Sequence, residues 1–229
     1  MAKLPIIAID GPAGAGKSTV ARKLAETLSF ILVDTGAMYR VVALAAKEAG
    51  LAPTEAAAVT ALASALVARE ALRFERDASL GVRVFLDGRD VSIDIRTSDI
   101  AMGASTVSAH PGVRDALLDM QRQAGRNGGV VLEGRDIGTV VFPNADIKFF
   151  LTAAPEVRAK RRHAELLAKE GNAPSFEETL ADVKRRDDQD MNRPIAPLKQ
   201  ADDAIFVDSS ALTFDETVRA MIDCVRSAK

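Results

Sequence analysis

Gly11-Pro-Ala-Gly-Ala-Gly-Lys-Ser18 decides the fold of this chain. The stretch fits G-x-x-x-x-G-K-[ST], with Gly11, Gly16, Lys17 and Ser18 at the required places. An apolar run, Leu4 to Ile9, precedes it and reads as a buried parallel strand. An alanine-rich segment with helical spacing, Thr19 to Leu28, follows it. Strand, glycine loop and helix in that order make an anion cradle. The glycines allow a tight turn whose N–H groups point inward, and the helix adds the positive end of its dipole. The residues expected to hold a nucleoside triphosphate are Gly11, Pro12, Ala13, Gly14, Ala15, Gly16, Lys17, Ser18 and Thr19. Lys17 is expected to reach the β- and γ-phosphates, and the Ser18 hydroxyl to face Mg²⁺.

The same alternation continues outward from this loop. Phe30 to Val33 reads as a second strand ending at Asp34-Thr35, with a helix over residues 37–49 behind it. Val130 to Leu132 is a third strand, ending at Glu133-Gly134-Arg135-Asp136. Ile147 to Leu151 and Ala204 to Val207 complete five. Charged residues therefore stand at the carboxyl ends of the strands, where open α/β sheets bind ligands. The expectation is a doubly wound, mostly parallel five-stranded α/β sheet in one domain spanning 1–229. Short β-type runs from about 70 to 93, with a tight-turn Asp87-Gly88 between two of them, predict a small antiparallel insertion. It is either a clamp over substrate or a decorative hairpin. Asp94 to Val107 and Val113 to Ala124 read as helices, with His110-Pro111 as the turn between them. The helix from Pro155 carries Arg158, Arg161 and Arg162 on one face and predicts a lid at about 155–172, the other reading being a solvated face. Tyr39 and Arg40, taken alone, read equally well as a surface aromatic and a solvated arginine.

Composition excludes several classes. A net charge of −2 argues against a nucleic-acid coat. No run approaches the roughly eighteen apolar residues of a membrane span, and no signal segment opens the chain. The single cysteine, Cys224, lies on an apolar helical stripe and fits a packed thiol in a reducing compartment. A cytoplasmic monomer without membrane or nucleic-acid partner is the expectation.

Three kinds of chemistry compete for such a loop: phosphoryl transfer to a small anion, a guanine-nucleotide switch, and a polymer motor. The switch would want an Asn-Lys-x-Asp type reader, which the sequence lacks. A motor would want a strand ending in a magnesium aspartate, where this chain has Glu133. A small-molecule kinase would want several guanidiniums converging on two phosphoryl groups, and Arg40, Arg135, Arg158, Arg162, Arg186 and Arg193 are candidates.

Beyond this, the chain resembles the bacterial cytidylate kinases, nucleoside monophosphate kinases of the P-loop superfamily. The resemblance runs nearly end to end. It rests on Ile9 to Ser18, Asp34-Thr-Gly-Ala-Met-Tyr-Arg40, Ile95-Arg-Thr97, Glu133-Gly-Arg-Asp-Ile-Gly-Thr-Val-Val-Phe-Pro143, Arg186-Asp-Asp-Gln-Asp-Met-Asn-Arg193 and Ala196-Pro-Leu198. It implies ATP with Mg²⁺ as donor and CMP or dCMP as acceptor. It also implies that Thr35, Arg40, Arg135 and Arg193 hold the ribose and α-phosphate, with Arg186 beside them, and that Asp190 holds the sugar. Ser105, Arg114 and Asp136 would read cytosine, and the lid arginine Arg158 would approach ATP. Lys17, Arg135, Arg158 and Arg193 are the expected catalytic set. The chain departs from the usual pattern at Thr35, where serine is common, and at Glu133, where aspartate is common.

Overall fold

A computed structural model describes residues 4–77, 81–170 and 173–227. Its main sheet holds β1 (Ile6–Asp10), β2 (Ile31–Asp34), β6 (Val130–Gly134), β7 (Ile147–Thr152) and β8 (Ile205–Asp208) in the order β2-β6-β1-β7-β8. All four pairings are parallel. The chain starts in the centre of the sheet, crosses to one edge, returns, and then builds the other side, so the strand order reverses beside β1. That switch point is the place where such sheets open a crevice. β1 and β6 are buried throughout, which is why both read as unbroken apolar runs.

Helices cover both faces. α1 (Lys17–Leu28) and α8 (Phe214–Ser227) pack on Ile7, Ile9, Phe149 and Leu151. On the other face α2 (Thr35–Glu48), α3 (Ala56–Ala68), α4 (Ser98–Val107) and α5 (Pro111–Ala124) build a larger core around Val41, Val42, Leu117 and Leu132. The helix expected over 94–107 is interrupted. A 3₁₀ turn at Asp94–Arg96 gives way to α4 because Thr97 adopts an extended backbone. Pro111 opens α5 two residues earlier than expected, at the helix position that needs no N–H.

The predicted insertion is a three-stranded antiparallel sheet, β3 (Leu72–Asp77), β4 (Gly81–Leu86) and β5 (Arg89–Asp90). Asp87 and Gly88 form the turn between β4 and β5 with positive φ at both positions, and residues 78–80, between β3 and β4, lie outside the described ones. Leu72, Val84 and Leu86 belong to the same core as α2. α6 (Pro155–Glu170) and α7 (Phe176–Asn192) pack on each other, and the Ser175/Glu178 capping box starts α7. The last two residues of the expected lid, 171–172, lie outside the described residues.

Candidate active site

One open cleft of about 480 Å³ runs along the carboxyl ends of β1, β2 and β6. Its first wall is the glycine loop. Gly11 has φ +150, and a Cβ there would lie 1.9 Å from the Leu151 carbonyl of β7, so the loop can leave the sheet only through glycine. Gly16, also at positive φ, caps α1 without any side-chain acceptor. The first N–H groups of that helix are thus left for a ligand. Lys17 is buried, and its ammonium folds back to donate to the Pro12 carbonyl at 2.8 Å. Burial, with the Arg135 charge adding to it, pushes this ammonium down to about 7.

The cleft floor carries Asp34, Thr35 and Glu133. Thr35 donates its hydroxyl to the Glu133 carbonyl at 2.7 Å, tying the ends of β2 and β6 together. Glu133 is buried, and burial and then the nearby Asp34 charge push its carboxyl up to about 7, against the Ser18 hydroxyl bonded to it. One of its oxygens, Oε1, has no hydrogen-bond partner. A buried carboxyl with an orphaned oxygen, beside a serine hydroxyl and a second carboxyl, is a hard-oxygen set that fits Mg²⁺.

The remaining lining is guanidinium-rich. Arg135 donates through Nε to Asp190 at 2.7 Å. Arg40 lies 3.6 Å from Asp34. Arg114 and Asp136 form a buried ion pair, and Arg193 reaches 3.6 Å from the other Asp136 oxygen. The Arg193 Nη2 atom is buried without a hydrogen-bond partner. Arg186 faces the same space from α7, and Ser105 lines it from α4, donating to Gln189 at 3.3 Å.

The cleft brings together Ala13, Gly14, Gly16, Lys17, Ser18, Thr19, Thr35, Arg40, Ser105, Arg114, Arg135, Asp136, Arg186, Asp190 and Arg193. Gly11, Pro12 and Ala15 are buried in the loop behind it. Arg158 is not in the cleft. It is 3% exposed and pairs with Asp187 through both terminal nitrogens, at 2.9 and 2.6 Å. The cleft-lining arginines of α6 are Arg161 and Arg162, three and four residues further along the helix, about one turn on. Arg158 points instead between α6 and α7, because a buried guanidinium is retained where its donors are all met.

Four contributors had no role assigned from the sequence. Asp10 accepts from the Ile137 and Gly138 N–H groups at 2.8 and 2.7 Å and so fixes the turn after Asp136. Tyr39 is buried, not a surface aromatic. Its hydroxyl accepts from Gln121 at 3.3 Å, and the Arg114 guanidinium lies 5.6 Å from its ring centre. Arg22 and Arg96 also line the cleft. Arg22 follows Ser18 by one helical turn, and that spacing puts it on the face of the loop's serine.

A glycine loop at a helix start, a hydroxyl-and-carboxyl pocket beside it and a converging set of arginines define a P-loop phosphotransferase. The family model described as cytidylate kinase matches residues 7–227. A cytidylate kinase of Geobacter sulfurreducens is 51% identical over 96% of this chain and 92% of its own length. Another, from Citrifermentans bemidjiense, is 49% identical over 96% and 92%. Among solved structures, shikimate kinase from Acinetobacter baumannii in complex with shikimate matches at 16% identity and a TM-score of 0.45, covering 99% of this chain and 95% of that one. The chain belongs to the cytidylate kinase family.

Proposed function

We infer that this protein transfers the γ-phosphoryl group of ATP to CMP, giving ADP and CDP, and that dCMP is also an acceptor. Family membership over nearly the whole chain supports the reaction. The observation that carries it is that one cleft is lined by two sets of anion-binding groups. The loop and the start of α1 offer N–H groups and Lys17, and Arg40, Arg135, Arg186 and Arg193 line the same cleft.

In this reading the triphosphate lies along the loop, and Lys17 leaves the Pro12 carbonyl for the β- and γ-phosphates. The monophosphate takes the guanidinium-rich lining, where Arg135 and Arg193 turn from their internal carboxylates to its oxygens. An acceptor phosphate oxygen attacks the γ-phosphorus, and the bond to the β,γ-bridging oxygen breaks, releasing ADP. The acceptor's second pKa is about 6, so it arrives ionised and no protein base is needed. Mg²⁺, when bound, offsets the charge that builds up between the phosphates. Ser18, Glu133 and Asp34 are the side chains that would hold it, the carboxylates either directly or through water. Cytosine would reach the Arg114–Asp136 pair, whose carboxylate suits an N4 donor and whose guanidinium suits the N3 or O2 acceptors. Arg161 and Arg162 on α6, and Val82 of the insertion, line the same cleft, and closure of these two segments would keep water from the γ-phosphoryl group.

Phosphorus NMR of a mixture of protein, Mg²⁺, ATP and CMP tests this reading. The expected result is a β-phosphate resonance of CDP growing as the ATP γ-resonance falls. Release of inorganic phosphate without CDP would identify an NTPase instead.

A further inference from the structure

We propose that Arg158 is a positioning residue that aims the glycine loop at the triphosphate, acting as a strut between that loop and α7. This rests on the loop's being the ATP site. Arg158 uses all of its nitrogens inside the protein. Its Nε donates to the Ala153 carbonyl at 2.7 Å, and Nη1 donates to the Ala13 carbonyl at 3.1 Å. Both terminal nitrogens hold Asp187 of α7, a planar two-pronged pairing that lysine cannot copy. The whole group is 3% exposed.

The Ala13 contact carries the consequence. A trans peptide points its carbonyl and the following N–H in opposite directions, and the described chain has no cis bond. Holding the Ala13 oxygen on Arg158 therefore turns the Gly14 N–H the other way, and both loop residues line the cleft. Gly14 is suited to this seat for two reasons. Its φ is +75, and a Cβ would lie 3.3 Å from the Arg158 Cβ, so α6 can approach the loop this closely only over glycine. At the other end of the strut, Asp187 lies between Arg186 and Asp190 on the helix that faces the acceptor side. One guanidinium thus joins the backbone of the donor site to the helix of the acceptor site.

A strut and a direct phosphate contact predict different behaviour for Asp187. If Arg158 touched ATP itself, removing its internal partner would free it to do so. If Arg158 acts through Ala13, losing either partner loosens the loop in the same way. Binding of a non-hydrolysable ATP analogue with Mg²⁺ is measured by calorimetry for the wild type, Arg158→Lys, Asp187→Asn and the double variant, alongside KM for ATP and CMP. Each single variant should weaken analogue binding by about tenfold, the loss of roughly one charge-assisted hydrogen bond. The double variant should be no worse than the worse single, because both act on one unit. KM for CMP should stay within about twofold, since the strut itself is not among the acceptor's contacts. Arg158→Met combined with Asp187→Leu replaces the buried pair by apolar groups of similar size. It keeps a cooperative melt if the pair is not needed for folding, and should bind the analogue as weakly as the single variants. Wild-type binding by Asp187→Asn, or additive losses in the double variant, would overturn the strut. Failure of the wild type to bind the analogue would sink the ATP reading itself, and this inference with it.

Discussion

Arg114 and Asp136 form an ion pair with side chains only 8% and 7% exposed, and Arg193 approaches the carboxylate's second oxygen. Both residues line the cleft, so one carboxylate is a charge partner and the expected acceptor for cytosine N4. Asp136→Ala should cut kcat/KM for CMP by about tenfold to a hundredfold more than for UMP, the worth of one good base contact. Arg114→Ala should lower both substrates, because an arginine also reaches the O2 of uracil. Equal losses for CMP and UMP in Asp136→Ala would assign base reading to other side chains.

Lys17 is the buried cation of the loop, tied in this structure to its own Pro12 carbonyl. Lys17→Ala should lower kcat by two to three orders of magnitude, on the order of 3–4 kcal/mol of transition-state charge stabilisation. The melting temperature should change little, since the lost bond is a single contact to a loop carbonyl. Near-normal turnover in the folded variant would contradict a phosphate role.

The depressed ammonium also predicts a pH profile. In the free enzyme burial brings Lys17 down to about 7, so it loses its proton as pH rises through that value. Bound phosphates hold it charged. kcat/KM for ATP, which reports the free enzyme, should therefore fall above pH 7, while kcat stays flatter on the alkaline side. The same alkaline limb in both parameters would place the titration in the bound complex and away from Lys17.

Much of this site was legible because it is written locally. The loop motif, the strands and the charged residues at their carboxyl ends each occupy one short stretch, and the strand boundaries agree to within about two residues. What stayed hidden depends on partners far apart in the chain. Arg158 looks like one more cation on a basic helix until Asp187, 29 residues on, meets it. Asp10 looks like the end of an apolar run, yet it anchors the turn 127 residues later. Tyr39 reads as surface because nothing nearby in sequence announces Gln121. Helical spacing gave the shared face of Arg158, Arg161 and Arg162 but not which of them the packing of α7 would claim.

Asp10 carries a stability prediction. Burial raises its carboxyl from 3.8 to about 6, against the two N–H bonds that favour the charged form. Between those values the folded state holds a proton that the unfolded state has lost, so Asp10 makes stability decline as pH rises through that window and then level off above it. Asp10→Asn should remove that slope. At neutral pH it should also destabilise the fold by about 1–3 kcal/mol, because one amide NH₂ would face an N–H donor in place of an acceptor. Urea melts from pH 4 to 8 on both proteins check this. Parallel curves for the two would show that Asp10 titrates as an ordinary surface carboxylate.

The central claim is that the guanidinium wall receives a cytidine monophosphate, and the most direct test is kcat/KM for ADP formation across CMP, dCMP, UMP, AMP and shikimate at saturating Mg-ATP. The expected order is CMP first, dCMP close behind, UMP lower by at least the tenfold to hundredfold of one base contact, and no turnover of shikimate. Turnover of AMP or shikimate with none of CMP would contradict it.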